Sequence, residues 1–179
     1  MKKILLTLAA AAMILPGCGK KEMKILVAYF SATGTTRQVA EQLAAQTGGT
    51  LYEITPKQLY TAADLDWTNR ESRSSLEMKD KDSRPAIVKD LKDADSYDVI
   101  FIGFPVWWYT APTVINTFLD TYDFTGKTVV FFGTSGGSDL KKADAQFKEQ
   151  YPGLVWKEGR LLNGATPEQI KDWTKQILR

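Results

Sequence analysis

Residues 24–36 read Lys-Ile-Leu-Val-Ala-Tyr-Phe-Ser-Ala-Thr-Gly-Thr-Thr, an apolar run that breaks into small hydroxyl residues around a glycine. From Lys24 to Phe30 there is no polar alternation, so the run predicts a strand buried on both faces. The residues after it predict a helix over about Thr35 to Gln46, with Val39, Leu43 and Gln46 near one face and Gly48-Gly49 as its stop. Such a strand, feeding a helix through a short polar loop, opens a parallel sheet covered on both sides.

The same alternation continues downstream. Strands are predicted at about Thr50 to Ile54, Asp98 to Gly103, Thr128 to Gly133 and Leu154 to Leu162. Helices are predicted from Arg84 to Ala94, from Pro112 to Tyr122 with Val114, Ile115, Phe118 and Leu119 facing inward, and from a capping Ser138 to Tyr151. Thr166-Pro167-Glu168-Gln169 is a helix start, with a capping hydroxyl and a proline at the next position, and Ile170, Trp173 and Ile177 continue its apolar face. Thr55 to Arg84 is polar, aperiodic and longer than most connections, so it is expected to cover something or to move. Five strands joined by crossovers give an α/β, three-layer, doubly wound five-stranded parallel sheet of order 2-1-3-4-5.

At 179 residues, 44% of them hydrophobic and 25% charged, the chain can bury one core, and a single domain over 23–179 is expected. It has no histidine and one cysteine, which removes the common zinc and haem ligand sets and any Ser-His or Cys-His catalytic pair. No metal is expected. The 23 Lys and Arg are interspersed with 21 Asp and Glu, and nucleic acid binding would need a concentrated basic face instead.

Residues 1–17 have the layout of a secretory signal: Lys2 and Lys3, an apolar run from Ile4 to Leu15, then small residues before Cys18. The run is short for a membrane span. Leu15-Pro16-Gly17-Cys18 resembles a bacterial lipobox, with Pro16 not the usual residue at its place. Cys18 is thus the expected lipidation site, residues 18–22 an anchored tether, and the location a membrane facing the periplasm or exterior. An uncleaved apolar helix with a buried thiol is the alternative.

In doubly wound sheets ligands sit beyond the C-terminal strand ends. Three loops are predicted there. Ser31, Ala32, Thr33, Gly34, Thr35 and Thr36 place hydroxyls and amide donors at a helix N-terminus, which suits an anion. Having neither the lysine of a P-loop nor a three-glycine dinucleotide fingerprint, the loop suits a monophosphate; a Ser/Thr-rich cap without ligand is the other reading. The second loop carries Pro105, Val106, Trp107, Trp108 and Tyr109, whose aromatics either pack into the core or wall a flat ring. The third, Thr134, Ser135, Gly136, Gly137 and Ser138, lets backbone amides approach the edge of a pyrimidine-like ring.

Together these residues resemble the flavodoxin family, in particular its short bacterial flavodoxin-like branch, over nearly all of Lys24 to Arg179. The resemblance implies FMN as cofactor, its phosphate on the first loop, its ring against Pro105 to Trp108, and the third loop over the pyrimidine edge. It implies a flavoprotein that passes electrons to a redox partner protein or a small acceptor. An FMN-dependent NAD(P)H:quinone or small-acceptor oxidoreductase is one alternative, and a non-redox binding module on the same fold is another. Asp66-Trp67, Ser72-Arg73 with Glu77, and Arg84-Pro85 also resemble that branch, where Ser72, Arg73 and Glu77 form either a lid or a solvated loop with an internal ion pair. Two departures stand out: electron-carrying flavodoxins are usually strongly acidic, and many related loops carry glycine where Tyr109 stands here.

Overall fold

The computed structural model describes residues 22–179. Its five strands are β1 (Ile25–Tyr29), β2 (Thr50–Glu53), β3 (Val99–Pro105), β4 (Thr128–Thr134) and β5 (Val155–Leu161). They pair in parallel in the order β2-β1-β3-β4-β5, as the crossover pattern predicts. Parallel pairing brings every C-terminal strand end to one edge of the sheet.

The three central strands β1, β3 and β4 are buried on both faces and for this reason read as apolar runs, whereas the edge strands β2 and β5 are partly exposed and carry polar residues. Leu26, Ala28, Ile100, Ile102, Phe104 and Phe131 turn to one layer, under α3 (Val114–Thr121) and α4 (Lys141–Gln150). Their sequence neighbours Val27, Tyr29, Phe101, Val130 and Phe132 turn to the other, under α1 (Thr35–Thr47) and α5 (Pro167–Ile177). Fully burying each of the larger apolar side chains contributes roughly 1.5–3 kcal/mol. The predicted inward stripes of α3 and α5 are buried, and Thr166 closes a capping box with Gln169.

Four local expectations change. Residues 84–94 are not a helix: Ile87 and Val88 are extended, and Pro56 and Ile87 form an antiparallel bridge. The amide of Lys57 donates to Ala86 and that of Val88 to Thr55, so the chain just past β2 takes up backbone that a helix would have turned inward. Ile87 is thereby buried in the core. In α1 the buried stripe is Thr36, Val39, Ala40 and Leu43, while Gln46 is exposed. Ser138 does not cap α4, which begins three residues later; its amide instead donates to Ser135 Oγ. The long connection holds a short helix, α2 (Arg73–Lys79), capped by Ser72 Oγ accepting from the Ser75 amide.

The expected signal at 1–17, Cys18 and residues 19–21 of the tether lie outside the described residues. Among the described residues no helix is long and apolar enough to cross a membrane, and no acidic or Cys/His group has the makings of a metal site.

Candidate functional site

The three predicted loops meet at the C-terminal edge of the sheet. Gly34 caps α1 with φ 90°, a left-handed conformation that glycine adopts without a Cβ penalty. Ser31 Oγ accepts from the amides of Gly34 (3.1 Å) and Arg37 (3.2 Å), which curls the loop and engages that hydroxyl in shaping it. The first amides of a helix have no intrahelical acceptor, so those of Thr35 and Thr36 lie outside the ladder of α1, at the end where its dipole favours negative charge. Thr36 is buried, and its hydroxyl bonds that of Thr134 at 2.8 Å, joining the first loop to the third.

The third loop is held by a residue that local sequence gave no sign of. Asn163 Oδ1 accepts from the Ser135 amide and Asn163 Nδ2 donates to the Ser135 carbonyl, each at 2.8 Å. Ser135 Oγ in turn accepts from the amides of Gly137 (3.1 Å) and Ser138 (2.7 Å). Gly136 lines the resulting cavity, and a Cβ built on it meets no protein atom within 4 Å.

The second loop is a two-residue reverse turn. Trp107 and Thr110 exchange both backbone hydrogen bonds, at 3.0 and 2.9 Å, which places Trp108 and Tyr109 at the corner with φ 47° and 66°. Positive φ at both corner positions suits glycine or asparagine and strains bulky aromatics. Thr110 Oγ1 pins the turn by donating to Gln146 Oε1 on α4 (3.0 Å). Trp108 and Tyr109 remain exposed, at 42% and 58%. Trp107 packs inward, edge-on to Phe30 and Tyr60 at 5.7 and 5.5 Å between ring centres. The aromatics thus divide between the two roles open to them: Trp107 does both, and Trp108 and Tyr109 stand at the rim.

Two adjoining cavities result. One, of about 360 Å³, is lined by Ala32, Thr33, Thr35, Pro105, Thr134 and Asn163 among others. The other, of about 510 Å³, lies against Trp67, Trp107, Trp108, Tyr109 and Ser138. Leu65, Val106, Trp107 and Gly136 wall both, so the two form one trough from the start of α1 to the exposed indoles. Gly137 lines neither and serves through its bond to Ser135.

The trough's outer wall comes from the long connection. Asp64 Oδ2 accepts from the amide and hydroxyl of Thr61, both at 2.8 Å, and Asp66 Oδ1 from the hydroxyl (2.6 Å) and amide (3.0 Å) of Thr68. These bonds hold both carboxyls below the usual carboxylate range, led by the Thr61 amide at Asp64 and by the Thr68 hydroxyl at Asp66. The two turns present Leu65 and Trp67 to the site. Behind them Arg73 pairs with Glu77 at 2.6 Å, stacks 4.0 Å from the Tyr60 ring centre and donates to Gln58 O. The Tyr60 hydroxyl donates to Glu77 at 2.5 Å, and burial, then that bond, push its phenol well above its ordinary value. The internal ion pair and the cover are therefore one assembly, with Tyr60 as the link to Trp107.

A crystal structure of a proposed flavoprotein from Bacteroides eggerthii is 53% identical, covering 88% of this chain and 99% of that one with a TM-score of 0.85. One from Bacteroides uniformis is 54% identical, covering 87% and 99% with a TM-score of 0.83. A Lactobacillus acidophilus flavoprotein solved in complex with FMN is 25% identical, covering 86% and 99% with a TM-score of 0.67. No curated protein sequence matches the chain. The sequence model of the flavodoxin family matches residues 24–177, and the chain belongs to that family.

Proposed function

We propose that this chain is an FMN-binding electron-transfer protein that works outside the cytoplasm at a membrane, held there by a lipid on Cys18. FMN is the cofactor: the family and the FMN complex of the Lactobacillus acidophilus relative support it, and the trough fits it. The observation that carries the assignment is the trough itself. It runs from the donor-rich start of α1 to a wall of indoles, and the two parts have volumes within the 300–1,000 Å³ typical of small-molecule sites.

The amides of Thr35 and Thr36, with the Thr33 and Thr35 hydroxyls, would hold the phosphate; no lysine lies on that loop. Trp107 and Trp108 would wall the ring on one side, with Leu65 and Trp67 closing from the other. Gly136, clear of protein atoms, would let the backbone come close to the ring edge. FMN supplies reversible uptake of one or two electrons; the chain supplies binding, orientation and exclusion of water.

Titrating FMN, riboflavin and FAD into the domain and reading visible absorption and fluorescence tests this. Preference for FMN over riboflavin is expected, since the phosphate adds its contacts at α1. No uptake of any flavin would overturn the cofactor and leave the fold. Lipid attachment is read separately from the mass of the mature N-terminal residue, where an unmodified Cys18 would remove the anchor.

A further inference from the structure

Past the outer end of the trough lies a larger cavity of about 880 Å³. Trp67 and Trp108 line both it and the ring cavity, so the two spaces share an indole wall. Trp67 is 74% exposed, although an indole left in water forfeits most of what burial would return. Trp108 reaches this wall from a strained left-handed backbone, the kind of cost that is kept where surroundings and function hold it. Met78 on α2 adds a soft apolar surface.

Arg70 and Lys79 also line this cavity, with Glu71 as its one carboxylate. Arg37, Arg73 and Arg84 all lie in ion pairs with Glu53, Glu77 and Asp120. Among the described residues Arg70 and Lys79 are in none, and no side-chain hydrogen bond engages them. Two uncommitted cations beside two exposed indoles form a concave surface that recognises a flat ring and a negative charge together. A protein partner would bury a broad face of about 800 Å²; these features instead converge on one opening of small-molecule size.

We propose that the Trp67–Trp108 cleft binds a planar aromatic molecule bearing an anionic substituent, and that it is the seat of the electron acceptor. The first clause stands alone, and the second rests on the FMN reading above. With a quinone of this class, two electrons and two protons leave the reduced cofactor and convert the quinone to its hydroquinone.

The test is calorimetric titration of anthraquinone sulfonate into the chain with saturating FMN. Saturable binding is expected, weakened about tenfold by the double substitution Arg70→Gln and Lys79→Gln, as for the loss of two modest charge contacts. Binding of the uncharged hydroxymethyl anthraquinone should be unmoved by that change. The double variant should keep its FMN affinity and thermal midpoint, which shows that it is folded. Displacement of the sulfonate by FMN, equal affinity in the variant, or no saturable binding at millimolar concentration would each overturn the proposal. A chain that takes up the sulfonate but no flavin upholds the cleft and retires the cofactor reading, whereas uptake of flavin without the sulfonate overturns the cleft alone.

Discussion

At Asn163 two hydrogen bonds reach back 28 residues to a single residue, Ser135, and through it set the loop that faces the trough. Asn163→Ala removes both, and at about 1 kcal/mol each the FMN dissociation constant should rise by roughly one order of magnitude or more, measured by fluorescence titration. Tyr109 makes the opposite prediction. Its φ of 66° costs an L-residue about 1–2 kcal/mol, so Tyr109→Gly should leave stability unchanged or raise it by up to about 1 kcal/mol in denaturant unfolding, where glycine elsewhere is destabilising. Asp144 is buried on α4. Its Oδ2 accepts from the Gly159 amide at 3.0 Å, where the register of β5 slips against β4, and its Oδ1 has no partner. Burial raises its carboxyl above the usual range. Folding therefore favours the protonated form more than the unfolded chain does: the contribution is complete below the unfolded value near pH 4 and is lost as pH rises through the folded one. Asp144→Asn should raise the thermal midpoint at pH 7, with the gain vanishing below about pH 4.

At the scale of elements, the central strands β1, β3 and β4 were legible because double burial leaves them as apolar runs, and α5 because its cap, proline and apolar stripe agree. Residues 84–94 were not, because what decides them is unpaired backbone beyond β2, some thirty residues away in sequence. The loop at Ser31 to Thr36 could be read from its place between a strand and a helix, yet the contribution of Leu65 and Trp67 could not, since tertiary contacts fold that connection. Those contacts run Glu77 to Tyr60 to Trp107, through one 2.5 Å hydrogen bond and one edge-on ring pair. Glu77→Ala strips Arg73 and Tyr60 of their partner together. Proteolysis should then cut between residues 57 and 80 several-fold faster, and FMN should dissociate faster, with the melting of the sheet little changed. An unaltered cleavage rate would show that the ring contacts alone hold the cover in place.

Across the whole molecule, every strand points the same way. Lys24 donates its amide to Asp98 at the beginning of the sheet, while the trough opens at the far edge, five to seven residues of strand away, or about 20 Å. The chain therefore enters at one pole and carries its site at the other. Residues 19–22, fully extended, reach only about 14 Å. With a lipid on Cys18, the molecule would stand on its base like a lamp on a short stem, its light turned away from the bilayer. A carrier dissolved among the acyl chains would find no path to the indoles, and reduction would have to come from the aqueous side. In vesicles, a flavin bound to the anchored protein should be quenched by a water-soluble quencher and spared by one fixed to the lipid tails.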